Sequence, residues 1–61
     1  MKDKLKTLVE ESGKSVYKIS KDTGISQTAI AGWLDGKYTP KLENLKILSE
    51  YFDVPLSYFI E

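Results

Sequence analysis

Apolar residues recur along most of this chain at the spacing of amphipathic helices. Leu5, Leu8 and Val9 stand three and four positions apart, with lysines and glutamates around them, and this pattern predicts a first helix over about residues 2–12. Gly13 can end that helix in the left-handed conformation. Since no stretch alternates apolar and polar residues in the manner of a strand, we expect helices throughout.

The middle of the chain predicts two short helices joined by a tight turn around Gly24. Ser15 is suited to cap the first of them, because its hydroxyl can accept a hydrogen bond from a free N–H of the first turn. Gly24 ends this helix, and Ser26 caps the next one in the same way. The second helix covers about residues 26–34 and stops before Gly36.

One side of that second helix carries Ala29, Ile30 and Trp33. Their spacing predicts a stripe that is buried in the core. Trp33 could instead stack on a base of a nucleic acid, but its position in the stripe favours the core.

Two further helices complete the pattern. Pro40 disfavours helix at the residue before it. An amphipathic helix over about residues 41–52 is predicted by Leu42, Leu45, Leu48 and Phe52. Pro55 suits the first turn of a last short helix that ends near Ile60. The expected fold is all-α, a single compact five-helix domain over residues 1–61.

Composition narrows the possible functions. The 61 residues include no cysteine and no histidine, so a thiol nucleophile, an imidazole base and the usual zinc ligands are missing. No paired acid, base or nucleophile stands out, so we expect no enzyme, small-molecule substrate, cofactor or metal. No apolar run reaches the roughly 20 residues that span a bilayer. We therefore expect a cytoplasmic protein without membrane contact.

Charge is balanced in sum but not in distribution. The chain has nine lysines, no arginine and nine acidic residues. Residues 1–41 hold eight lysines against five acidic residues, a net charge of +3, whereas residues 42–61 hold one against four, a net charge of −3. Such a chain can present a basic face to phosphate and keep an acidic back.

Two helices that meet at a steep angle across a tight turn form a helix-turn-helix, which places its second helix in the major groove of DNA. The chain resembles a known family of this kind, the helix-turn-helix domains of the phage Cro and lambda repressor type, or XRE family. The resemblance covers nearly the whole chain and rests on Ser15, Ile19, Ser20, Gly24, Ile25-Ser26-Gln27, Ile30, Trp33, Asp35-Gly36-Lys37, Pro40, Leu42, Leu45, Leu48 and Val54.

This resemblance implies a phage or bacterial transcription regulator, commonly a repressor. It would bind double-stranded DNA as a homodimer on an inverted repeat, with the helix over about residues 26–34 as the reading helix.

Four residues on the outward side of the predicted reading helix are candidates for base contact. Gln27 can pair with N6 and N7 of adenine, and Thr28 can hydrogen-bond a base edge or contact the thymine methyl group. Ala31 can also contact a thymine methyl group. Gly32 stands where the resemblance implies a longer base reader, so either the backbone approaches DNA closely there or readout is thinner. The alternative for Gln27 and Thr28 is a solvated surface turn.

Helix N-termini and the first half of the helix-turn-helix supply candidates for phosphate contact. Ser15 and Ser26 lie where free N–H groups and the helix dipole favour a phosphate oxygen. Val16 stands where the resemblance implies a phosphate-binding glutamine. A valine side chain cannot form the hydrogen bond of that glutamine. Tyr17 or Lys18 would then supply that contact.

The loop after the reading helix holds three more phosphate candidates, Lys37, Tyr38 and Thr39. The resemblance implies that this loop lies against the sugar-phosphate backbone. Lys37 can equally serve only to complement the dipole at the end of a helix.

Apolar residues near the C-terminus predict a dimer interface. Ile47 and Tyr51 lie on a face of the fourth helix next to its buried stripe, and the last helix supplies Leu56, Tyr58 and Ile60. Together these five side chains can form an exposed patch. The alternative is a small domain with too few polar residues to cover itself.

A second class of function fits the same fold, namely a protein-binding module such as an antirepressor, an antitoxin or an inhibitor. Zero net charge, the absence of arginine, Val16 and Gly32 favour such a protein partner. The basic first part of the chain and Gln27 in the reading position favour DNA.

Overall fold

Five helices make up the fold, as the sequence pattern predicts. The computed structural model describes residues 2–60, with only the backbone of Lys2, and its helices are α1 (Lys2–Ser12), α2 (Val16–Thr23), α3 (Gln27–Asp35), α4 (Leu42–Phe52) and α5 (Ser57–Ile60). No strand occurs in residues 2–60, so the all-α prediction is confirmed. Met1 and Glu61, the ends of the predicted domain, lie outside the described residues.

Local side-chain and backbone chemistry sets the helix ends. Ser15 and Ser26 cap α2 and α3, and Gly24 and Gly36 end these helices, each with a φ of 80°. Asp53 ends α4 with a φ of 57°. Among residues 2–60, it is the only residue other than glycine with a positive φ. Because these signals are local, the sequence predicts the bounds of α1 to α4 to within one residue.

The core lies where α1 packs against α3 and α5, and where α2 packs against α3 and α4. Its buried side chains come from every helix and from the turn after α2: Leu5, Ile19, Ile25, Ile30, Trp33, Leu45, Leu48 and Phe59. The Cα radius of gyration is 10.2 Å, close to the roughly 10.5 Å expected for a globular domain of this length. The helices therefore enclose a core within one chain.

Two sequence predictions about the closing helices need correction. Leu42, predicted as part of the buried stripe, is 55% exposed, because it is the first residue of α4 and the chain enters the core through the buried Pro40 instead. Pro55 does not begin α5. It forms a turn with Leu56, and the N–H groups of Tyr58 and Phe59 donate to the carbonyls of these two residues at 3.0 Å.

Candidate nucleic-acid interface

Side-chain hydrogen bonds fix the turn between α2 and α3. Ser20 Oγ donates to the carbonyl of Ile25 at 2.5 Å. Thr23 Oγ1 donates to the carbonyl of Ile19 at 2.7 Å and accepts from the N–H of Ile25 at 3.2 Å. Gly24 reverses the backbone between them in a left-handed conformation. Since each bond is directional, together they constrain the angle at which α3 leaves α2.

Both helices of this unit begin at a serine whose role as an N-cap is confirmed. Ser15 Oγ accepts from the N–H of Lys18, and Ser26 Oγ accepts from the N–H of Ala29, each at 3.1 Å. Both serines are exposed. Each hydroxyl keeps its own hydrogen as a donor, so capping leaves it able to bond an anionic oxygen.

The two sides of α3 differ as expected from its sequence. Gln27, Thr28 and Ala31 are exposed, whereas Ile30 and Trp33 are buried in the core. The prediction that Trp33 is a core residue is confirmed. The N-terminal turn of α3 therefore offers an amide and a hydroxyl to solvent, next to the N–H groups of its first turn.

The placement of Gly32 on the outward side of the reading helix is wrong. Gly32 is buried, because the ring of Tyr38 lies over its Cα. A Cβ built on Gly32 would lie 2.7 Å from Cε2 of Tyr38 and closer still to Cδ2. The backbone at Gly32 is therefore not open to DNA, and this residue is removed from the base-reading candidates.

The loop after α3 is held against that helix by its backbone. The carbonyl of Gly32 accepts hydrogen bonds from the N–H groups of Lys37 at 2.9 Å and Tyr38 at 3.3 Å. The side chains of Lys37, Tyr38 and Thr39 are all exposed. The next residue, Pro40, is buried and anchors the far end of the loop.

An open groove of about 510 Å³ lies beside α3, between its first turn and the start of α4. Its walls combine aromatic, hydroxyl and charged groups, from Ser26, Thr28, Ala29, Trp33, Tyr38, Thr39, Lys41, Glu43 and Asn44. The groove brings Thr28, a base candidate of α3, together with Tyr38 and Thr39, which are phosphate candidates of the following loop. Glu43 is the one acidic group on these walls, and it would repel a phosphate that came close to it.

The two phosphate candidates on α2 differ in whether an internal partner already holds the side chain. Tyr17 is 60% exposed. Lys18 forms an ion pair with Asp22, with Nζ and Oδ1 3.3 Å apart. Asp22 also accepts a hydrogen bond from the hydroxyl of Tyr51 at 2.6 Å, and the ammonium of Lys14 lies 4.3 Å from the centre of the Tyr51 ring. Lys18 therefore carries an internal counter-ion.

The same contacts act on the ionisation of Asp22. The hydrogen bond from Tyr51, together with the bond and charge of Lys18, holds the pKa of this carboxyl below its usual value. Sequence reasoning assigned no role to Asp22. The spacing of Lys18 and Asp22, four residues apart on one helix, was a usable signal for the ion pair, but nothing local indicated Tyr51.

The five residues of the predicted dimer patch differ in exposure. Ile47 is 39% exposed and Ile60 is 63% exposed. Tyr51, Leu56 and Tyr58 are partly buried and pack against the core, because the closing helices fold back onto α1 and α2. Of the five residues expected to form an exposed patch, Ile47 and Ile60 are exposed and the other three are only partly so; the dimer interface itself stays a prediction.

No group of metal-binding side chains occurs in the described part of the chain. Within residues 2–60, no helix is long and apolar enough to cross a membrane. A family model described as "Helix-turn-helix" matches residues 5–59, nearly the whole chain. No curated protein and no solved structure matches the chain significantly.

Proposed function

The chain belongs to the helix-turn-helix family of the Cro and lambda repressor (XRE) type, a family of DNA-binding regulators, and on this premise we propose that it is a sequence-specific transcriptional repressor. In this proposal α3 enters the major groove. The exposed Gln27, directly after the cap Ser26, is the observation that carries the proposal. It is a side chain able to pair with adenine, at the turn that enters the groove first.

The proposed contacts divide into two kinds. Gln27 and Thr28 read base edges, and Ala31 offers an apolar contact to a thymine methyl group. Phosphate contacts set the position of α3 without reading sequence. They come from the two serine caps, from the start of α2 and from the loop after α3: Ser15, Tyr17, Lys18, Ser26, Lys37, Tyr38 and Thr39. This division is supported by the exposure of all these side chains.

We expect Gln27→Ala and Lys37→Ala to weaken DNA binding in different ways. A bidentate pair with a base is worth about 1–3 kcal/mol of discrimination, so Gln27→Ala should weaken binding to a selected site by roughly 5- to 150-fold and leave random DNA unaffected. Lys37→Ala should weaken binding to both duplexes by the same factor and reduce the salt slope by about one.

The measurement is fluorescence anisotropy over a salt series, with a duplex selected from random DNA and with a random duplex. Lys46→Ala is the control, since this exposed lysine of α4 lies outside the proposed interface. Equal losses on both duplexes for Gln27→Ala would remove it as a base reader. Absence of binding to random duplex at low salt would instead favour a protein-binding module on the same fold.

We also propose that the repressor acts as a dimer, with α4 and α5 at the two-fold axis. The exposure of Ile47 and Ile60, on these two helices, supports this. Two reading helices about 34 Å apart would match an inverted repeat with half-sites one helical turn apart. The same selection from random DNA would show whether the bound site is palindromic.

Charged substitutions test the dimer directly. Ile47→Glu and Ile60→Glu should each shift the protein towards monomer in sedimentation velocity at micromolar concentration, because a buried unpaired carboxylate opposes association. Leu42→Glu is the matched control, since Leu42 is also an exposed apolar residue of α4 but lies outside the proposed interface. Unchanged sedimentation of both isoleucine variants would place the interface elsewhere.

A further inference from the structure

Tyr38 occupies the space that a side chain at position 32 would fill. A Cβ on Gly32 would lie 2.7 Å from Cε2 of Tyr38 and 3.5 Å from Cγ, with Cδ2 nearer than either. Only glycine therefore permits the ring to rest on α3 in this position. The backbone conformation of Gly32 does not itself require glycine, because its φ is not positive.

The backbone of Gly32 also holds Tyr38, through hydrogen bonds to the loop. Its carbonyl accepts from the N–H groups of Lys37 and Tyr38. Tyr38 is thus attached to α3 through its own N–H and through one side of its ring. The side chain nevertheless stays 61% exposed, so the rest of the ring and the hydroxyl face solvent.

The position of Gly32 on α3 places Tyr38 beside the reading residues. Thr28 stands four residues earlier, which puts it on the same side of the helix, one turn away. Thr28 and Tyr38 also line the same groove. The Tyr38 ring therefore lies on the same surface as Thr28, although Tyr38 belongs to the loop after α3.

We propose that Tyr38 takes the place of a residue-32 side chain in the DNA interface, and that Gly32 is the positioning residue that makes this possible. The ring packs against a deoxyribose and the hydroxyl donates to a phosphate oxygen at the edge of the major groove. This inference rests on the proposed function. Since both contacts are to the DNA backbone, they add affinity without sequence preference.

A double-mutant cycle on DNA binding tests the coupling. Tyr38→Ala should weaken binding to selected and to random duplex by the same factor, roughly 10- to 150-fold for one hydrogen bond to a charged phosphate and its packing. Gly32→Ala should cause the same loss, because its methyl group displaces the ring. The double variant should bind no worse than Tyr38→Ala, whereas independent effects would multiply and would overturn the proposal.

Stability separates positioning from a purely structural role. In the Tyr38→Ala background, Gly32→Ala should raise the unfolding midpoint, because alanine favours helix over glycine, while DNA affinity should not recover. Tyr38→Phe should keep the ring contact and lose only the hydroxyl part of the affinity. Recovery of affinity together with stability would overturn the positioning role.

A measurement without DNA distinguishes this inference from the proposed function. In the free protein, NOEs should join the α-protons of Gly32 to the ring protons of Tyr38, and their absence would overturn the positioning. If the NOEs are present and the protein binds neither duplex, the proposed function and the DNA contact both fail. If the protein binds and Tyr38→Ala binds equally well, only the present inference fails.

Discussion

The helix-turn-helix and the two closing helices of this domain are built from different interactions. From Ser15 to Ala29, side chains bond the backbone at both N-caps and across the turn. In contrast, Lys41 precedes α4 as its N-cap and makes no side-chain capping bond. Within α4, the described side-chain bond to the backbone comes from Ser49. What α4 and α5 contribute is apolar area, through Leu45, Leu48 and Phe59.

This difference separates the placement of the reading residues from the stability of the fold. Hydrogen bonds are directional, so those around the turn determine where α3 points. Burial of apolar area is not directional, and it supplies most of the free energy of folding. Truncation of a buried residue in α4 should therefore act on the free energy of unfolding, whereas loss of a side-chain bond around the turn should cost less stability and should also act on geometry and DNA binding.

The largest effect is expected in the closing helices, from Leu48→Ala. Leu48 is 1% exposed, and truncation of such a leucine costs about 2–5 kcal/mol. A domain of this size has a total stability of only about 3–9 kcal/mol, so Leu48→Ala should remove a large part of that stability and lower the urea midpoint. Urea denaturation followed by circular dichroism measures the loss.

Leu42→Ala is the matched control for Leu48→Ala, since it makes the same truncation at an exposed leucine of the same helix, outside the proposed interface. Its cost should stay within about 1 kcal/mol. Equal costs for the two variants would mean that α4 does not stabilise the fold through the buried stripe. The contrast between the two regions would then be lost.

The sequence predicted the helices because their signals are local. Ser15 and Ser26 are good caps in any chain, and Gly24 needs only its own φ to end α2. The buried position of Trp33 followed in the same way from the spacing of one helix. Periodicity and caps were therefore sufficient for the fold and for the exposed position of Gln27.

The contacts that the sequence did not reveal all reach beyond a single helix. Gly32 looked outward by helical position, and only the path of the following loop brings Tyr38 over it. Tyr51 looked like part of an exposed patch, but the packing of α4 on α2 brings it to Asp22, 29 residues away. Helical periodicity does not encode such contacts, because they depend on the path of a loop or on how two helices pack.

A smaller effect is expected around the turn, from Ser26→Ala. Loss of an N-cap serine costs about 1 kcal/mol, and replacement by glycine costs only a few tenths. In a domain of this size 1 kcal/mol lowers the unfolding midpoint by about 4–8 °C. Calorimetry should therefore rank the midpoints as wild type, Ser26→Gly and Ser26→Ala, from highest to lowest.

Ser49→Ala is the corresponding change in α4 and should cost less than Ser26→Ala. Its hydroxyl donates to the carbonyl of Lys46 within the same helix, and a bond of this type slightly disfavours the helix. A cost equal to that of Ser26→Ala would show that side-chain bonds matter alike in both regions.

The smallest effect on stability is expected where the two regions meet, at the bond from Tyr51 on α4 to Asp22 on α2. Asp22→Asn removes the negative charge that neutralises Lys18. The freed lysine can then release a counter-ion on DNA, so the salt slope should steepen by about one and affinity should rise on selected and random duplex alike. Anisotropy over a salt series measures this, with Glu10→Gln, which removes an exposed carboxylate of α1, as the charge-matched comparison.

The contribution of Asp22 to stability should depend on pH in a direction set by its pKa. The carboxyl has a pKa below the usual value of 3.8, chiefly because Tyr51 donates to the charged form. Its stabilising effect should therefore be complete above pH 3.8 and should disappear as the pH falls through the lowered pKa of the folded state. The difference in unfolding midpoint between wild type and Asp22→Asn isolates this group from the other carboxylates. A difference that stayed constant through this range would mean that the negative charge of Asp22 does not stabilise the fold. Its ion pair with Lys18 would then contribute nothing, and Lys18 would already be free to bind phosphate.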